Sequence, residues 1–240
     1  MKRVFYIGFF LGILLQPQCK KYQNTDHDVS GNNYMAGTVY LYNDYSADGL
    51  QTQLTGQTVR IVDTTELQPP NFQYTVTSDT NGGFVFNNLR NGVPYTIFAL
   101  DTLSGIKFYG AQTNTLTNDQ TPINNIVLNL SIDSIHQNGV VYTVTDSTGN
   151  LIPNCSVWIF SSPTLAAQMA TITGDSCEGC NFTLTTNPFG KAFQVNMAPV
   201  TYITLFRYPV GNLVLSGQDT LTLQQFGIVR KTILVGQHLP

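Results

Sequence analysis

One turn pattern occurs twice in this chain, and it constrains the fold more than any other feature. Ser78-Asp79-Thr80-Asn81-Gly82-Gly83-Phe84 leads to Leu89 and Tyr95, and Asn187-Pro188-Phe189-Gly190-Lys191-Ala192 leads to Met197 and Tyr202. From turn glycine to apolar anchor the distance is seven residues in both copies, which marks two copies of one β-unit. Asp79, Asn81 and Gly82 suit a tight turn in which side-chain oxygens accept from backbone N–H groups and the glycine takes positive φ. Phe84 and Phe86 then alternate inward along a strand.

Short β-branched and aromatic runs bounded by Gly, Asn and Asp surround the first copy: 38–42, 58–62, 74–77, 84–86, 95–100, 106–109 and 123–130. They predict seven strands. The second copy repeats the order at 140–144, 157–160, 182–185, 193–195, 202–206, 213–223 and 229–235. The expected fold is therefore all-β, two tandem antiparallel sandwiches over 36–131 and 139–237 joined by a linker at 132–138. The stretch 43–56 of the first copy is longer than its counterpart and lacks a tidy turn motif. In the second copy the long stretch is 161–181, where Ser162-Pro163 precedes Leu165 and Met169. A short helix is expected there, capped by Ser162, with Leu165 and Met169 as its apolar face and Gly174 closing it.

The chain opens Met1-Lys2-Arg3 and continues with an apolar run from Val4 to Leu15, the charged and hydrophobic regions of a secretory signal. A run of that length falls short of a membrane span, which needs about 20 residues. Cys19 follows directly, and 20–34 are polar with almost no apolar period, which reads as a tether over 19–35 behind a signal peptide at 1–18. This arrangement resembles a bacterial lipoprotein signal, in which the cysteine becomes the acylated first residue. Gln16-Pro17-Gln18 departs from the small residues usual before that cysteine, and such a loose box resembles those of Bacteroidetes lipoproteins. The resemblance implies lipidation at Cys19 and an envelope protein, outer-membrane-anchored, with the membrane as partner; an ordinary cleaved signal and an uncleaved anchor are the alternatives.

The segment Gly139-Val140-Val141 through Asp146-Ser147-Thr148-Gly149 to Val157 resembles the opening of a carboxypeptidase-regulatory-like domain, a transthyretin-type sandwich. Gly37-Thr38-Val39, Val59 and Asp79 to Leu89 with Tyr95 are similar to the same family's first and middle motifs. The resemblance spans nearly all of 36–236 and implies a fold; its motifs are turn and core residues and assign no activity.

Chemistry-bearing residues are sparse. Charged residues make up 10% of the chain and the formal charge is −3, against about 25% in an average soluble domain, so no nucleic-acid footprint is present. Cys177-Glu178-Gly179-Cys180 is the sharpest feature, and in an oxidising compartment it is a candidate loop disulfide. Cys155, in phase with Val157 and Ile159, reads as a buried thiol, with pairing to Cys177 or Cys180 left open. The Asp79 and Asp146 turns lack the glutamate an EF-hand requires, since Arg90 and Val157 occupy those positions. His27, His136 and His238 fall in the tether, the linker and the C-terminus, where none is held as a general base.

No enzyme, metal or cofactor is therefore expected. If Val157 and Ile159 face the core, Trp158 and Phe160 lie on the opposite face, and Tyr40 and Tyr42 likewise oppose Val39 and Leu41. Outward aromatics stack on sugar rings or cover a junction, so these four are candidate ligand-stacking residues. The expected function is that of a structural spacer or binding module with an envelope protein or glycan as partner. Carbohydrate binding and a fimbrial-type subunit are the alternatives.

Overall fold

The computed structural model describes residues 33–65, 73–117, 122–172 and 176–237. The signal, Cys19 and most of the tether lie outside them, as do His27, His238 and Gly174. The two-residue period that marks a half-buried strand is plain in β5 (Gly83–Leu89), where Phe84 and Phe86 are buried and Val85 is exposed. Leu89 is also buried although it is out of phase with them. Asn88 takes a φ of 60° and shifts the register where β5 meets β1 (Asn33–Asn43), a bulge that turns the anchor back into the core. Asn196, with φ 57°, stands in the same place before the buried Met197.

The remaining strands of the first half are β2 (Leu50–Gln53), β3 (Thr58–Asp63), β4 (Gln73–Thr77), β6 (Pro94–Leu103), β7 (Ile106–Thr115) and β8 (Ile123–Ile132). β1 pairs with β5 antiparallel on one edge and with β8 in parallel on the other. The facing layer runs β4-β3-β6-β7, and a short β7–β8 pairing joins the two.

The second half repeats this topology with β9 (Asn138–Thr145), β10 (Ser156–Phe160), β11 (Phe182–Thr185), β12 (Lys191–Val195), β13 (Thr201–Val210), β14 (Leu213–Thr222) and β15 (Gly227–Leu234). β9 pairs with β12 antiparallel and β15 parallel, opposite a layer β11-β10-β13-β14 whose far edge holds the two-residue β16 (Gly236–Gln237). The fully antiparallel expectation is thus corrected at one place in each half. The seventh strand of the repeat crosses back from the facing layer and enters beside the first with the same direction.

Gly82 and Gly190 explain why the turn pattern recurs. Both have positive φ, 73° and 62°, and an added Cβ would meet Val39 O at 2.8 Å or Val144 O at 2.9 Å. Their carbonyls accept from the N–H of those same residues, Val39 and Val144. Asp79 Oδ1 accepts from the N–H groups of Asn81 and Gly83, and Asn187 Oδ1 from those of Phe189 and Lys191. Each turn therefore locks the first strand of its half to the fourth of its seven repeating strands.

Each half has a core of its own. One is built from Val39, Val59, Ile61, Phe84, Ile97, Phe108 and Leu128 among others, the second from Val140, Tyr142, Val157, Ile159, Phe206 and Leu221. Between β8 and β9 the chain is a tied turn. Asp133, buried, accepts from the N–H groups of Ile135 and His136 and lies 2.7 Å from His136 Nδ1, while Gln137 Nε2 donates to Lys107 O at 2.6 Å.

Candidate functional site

Two places bring polar side chains together with apolar burial. The first is the contact between the halves. Val141, Phe193, Val195 and Ile228 lie on the outer face of the β12-β9-β15 sheet and pack into the first half's core. β9 is consequently buried on both faces, so it reads as a nearly continuous apolar run. The element it meets is 44–49, within the stretch the sequence left without a turn assignment. Tyr45 sits between Phe108 and Phe193, at ring-centroid distances of 5.7 and 4.7 Å. Around it Lys191 Nζ donates to Asp44 O at 3.0 Å and Ala47 O at 2.9 Å and lies 3.1 Å from Asp48 Oδ1. Asn187 Nδ2 donates to Ser46 O. The irregular loop of one copy is the docking element for the other.

The second place is the outer face of the β10-β13-β14 layer. The helix expected there is α1 (Pro163–Ala170), with Ser162 as N-cap accepting from Leu165 N–H. It ends at Thr171, whose Oγ1 donates to Gln168 O. The apolar face differs from expectation: Ala166 and Met169 are buried, while Leu165 is 37% exposed and leans towards Gly179. A separation of three rather than four residues faces the sheet.

α1 also corrects the expectation for the tryptophan. Trp158 and Phe160 do lie opposite Val157 and Ile159, but both are fully buried in a third cluster with Ala166, Met169 and Leu205. Neither is open to a stacking ligand. Tyr40 and Tyr42 are half-buried on β1 in the other half, with Tyr42 against Gly49, so the four aromatics do not form one surface. Cys177 and Cys180 are joined as a disulfide whose sulfurs edge the third cluster, and Cys155 is a buried free thiol pushed up to about 11 by desolvation.

Beside α1 the same layer is open. A cleft of about 650 Å³ has Thr171 and Ile172 on its wall and Leu205, Arg207, Ser216 and Gln218 on its floor. The register explains the floor: Arg207 pairs with Ser216 and Leu205 with Gln218, so all four side chains project from one face. The Arg207 guanidinium carbon lies over the Trp158 ring, 5.0 Å from its centre. Its Nη1 and the Trp158 Nε1 are buried without a hydrogen-bond partner. An unmet buried donor costs about 1–3 kcal/mol. Both unmet donors belong to side chains in contact with each other, and Arg207 is the one that lines the cleft.

Sequence reasoning missed Arg207, because a lone arginine in a strand carries no motif. Its signal was phase: Arg207 is two residues from Leu205, on the face shared with the tryptophan. Among the described residues no cluster of three or more His, Cys, Asp and Glu could hold a metal, and no helix is long and apolar enough to cross a membrane.

No family model and no curated protein matches the sequence. Among solved structures, a Streptococcal ancillary pilin aligns at 10% identity and TM-score 0.34 over 85% of this chain and 69% of that one. A shaft pilin from Lactobacillus rhamnosus GG aligns at 10% identity and TM-score 0.30 over 87% and 99%. A protein of Pseudomonas aeruginosa proposed to bind carbohydrate aligns at 19% identity and TM-score 0.31 over 47% and 98%. The Bacillus anthracis TIE protein aligns at 13% and TM-score 0.30, and this chain spans about a third of it, 34%. At such scores the likeness reaches no further than β-sandwich architecture, and no residue role follows from it.

Proposed function

We propose that this chain is a non-enzymatic module of the cell envelope, two carboxypeptidase-regulatory-like sandwiches in tandem, held at a membrane through an acyl group on Cys19 and working as a spacer or binding body. The observation that carries the spacer reading is the contact between the halves. A buried apolar face, with Tyr45 between Phe108 and Phe193 and Lys191 bonded to Asp44 and Ala47, couples two sandwiches that a free linker would leave as separate beads. Stiffness is what a spacer requires. The polar 20–32 behind Cys19 supply reach from the membrane surface.

A carbohydrate-binding surface lipoprotein is the second reading, and the open cleft beside α1 favours it over the aromatic surface first expected. The anchor is tested by intact mass of the membrane-extracted protein beside a Cys19→Ala variant. A mature chain beginning at Cys19 with added acyl mass, absent from the variant, supports the anchored module. Cleavage elsewhere without lipid makes this a secreted protein. Polymers on size exclusion would instead move the reading to a fimbrial-type subunit.

A further inference from the structure

We infer that the cleft between the C-terminal end of α1 and the β13–β14 floor is a binding site for an acidic sugar, with Arg207 receiving its carboxylate. This deepens the carbohydrate-binding reading and rests on it, and it is independent of whether Cys19 carries a lipid.

The volume, about 650 Å³, lies within the roughly 300–1,000 Å³ of small-molecule sites. The charge is specific. Arg207 lies over the Trp158 ring, and among the described residues it has no ion pair, although the chain as a whole is acidic. Other cations of the same half, Lys231 with Asp219 and Arg230 with Asp44, have the carboxylate partners that Arg207 lacks. A guanidinium carries its N–H donors in a fork, and a carboxylate is the planar two-oxygen acceptor that matches that fork. The contact with Trp158 restrains the side chain, so less rotamer freedom is left to lose on binding.

The rest of the lining selects the body attached to that carboxylate. Thr171 and Ser216 offer hydroxyls and Gln218 an amide, each able to donate and accept as sugar hydroxyls do. Leu205 and Ile172 supply apolar contact of the kind the C–H face of a sugar ring takes. An all-apolar acid would leave those polar groups without partners.

The test uses the full-length chain and the fluorescence of Trp158, the single tryptophan of the sequence, which the guanidinium touches. Digalacturonate is titrated against its dimethyl ester, a neutral disaccharide and a tripeptide with a free C-terminal carboxylate, with calorimetry alongside. Saturable digalacturonate binding that weakens at least tenfold in the ester, and again in Arg207→Met, is the expected result. Arg207→Lys keeps the charge without the two-pronged edge and falls between the two. The ester comparison needs no variant, so a misfolded Arg207→Met chain cannot mask the outcome. Equal binding of acid and ester, or of the neutral disaccharide, overturns the acidic assignment while leaving a sugar site. Preference for the tripeptide overturns the sugar, and no saturable binding by any probe removes both this inference and the carbohydrate reading.

Discussion

Arg230 holds Asp44 across 186 residues of chain, with Nε 3.1 Å and Nη2 2.7 Å from the same carboxylate oxygen. It closes the rim of the contact whose centre is Tyr45 and Lys191. The second oxygen of Asp44 is buried without a partner, so desolvation offsets part of the attraction. The two cations at this contact are therefore not equivalent: Lys191 is 11% exposed at its side chain and Arg230 is 44% exposed.

This difference makes a prediction about stability. Arg230→Ala should cost less than about 1 kcal/mol, as exposed pairs do. Lys191→Met, which keeps the apolar stem and strips two backbone carbonyls of their charged donor, should cost about 2–3 kcal/mol. Urea unfolding measures both. If Lys191→Met unfolds no more easily than Arg230→Ala, the contact is not what couples the halves.

The turn glycines give a sharper contrast. Gly82→Ala and Gly190→Ala each place a Cβ at positive φ and against the carbonyl oxygen of the first strand of that half, and should each cost about 2 kcal/mol or more. Gly211 also has positive φ, 59°, yet an added Cβ would meet nothing within 4 Å. Gly211→Ala should then cost only the backbone strain, about 1 kcal/mol. Thermal melts of the three variants check the order, and equal losses at Gly190 and Gly211 would show that the close approach to Val144 O contributes nothing.

These glycines also show why so much of the fold was legible in the sequence. Turn chemistry and a two-residue period are local, and they located all seven repeating strands of each half. What was not legible depends on contacts between distant segments. Asn88 and Asn196, both at positive φ, precede the two anchors, a repeated backbone kink that a simple alternation hides. Loop 44–49 looked like a departure from the repeat because its partner surface is 140 residues away in sequence; Lys191 Nζ to Ala47 O spans 144 positions. Trp158 was placed on the correct face of β10, but whether that face meets water depended on where α1 packs, which no strand pattern encodes.

Inside the second core, Tyr142 Oη and Thr204 Oγ1 share a 2.8 Å hydrogen bond, both residues fully buried, and Phe206 meets the tyrosine ring edge-on at 4.9 Å. Burial holds the phenol above its ordinary range, so it stays neutral and available as a donor. Tyr142→Phe keeps the ring packing and orphans the threonine hydroxyl, for an expected loss of about 1–3 kcal/mol. Adding Thr204→Val should recover most of it, since both ends of this bond are then gone and Asp219, 3.5 Å from the same phenol oxygen, keeps Lys231 as its donor. A double-mutant cycle in denaturant reads this directly, and additive losses would show that the two hydroxyls are not coupled.

Cys155 supplies a pH dependence whose sign can be worked out. Its thiol is pushed from 9.0 up to about 11, chiefly by burial. Between those values the unfolded chain releases the proton while the folded chain keeps it, so the unfolded state binds fewer protons and stability falls as pH rises. The contribution is fully present below about pH 9 and is lost by about pH 11. Two pKa units set its ceiling near 2–3 kcal/mol. Cys155→Ala should flatten this part of the profile in urea titrations between pH 8 and 11, at the cost of the packing that the sulfur supplies. The same burial predicts that a thiol reagent at pH 8 leaves Cys155 unmodified until denaturant is added, because the thiolate is the reacting form. Rapid labelling of the native chain would mean that β10 opens towards solvent at this position, and would also remove the reason for the pH slope.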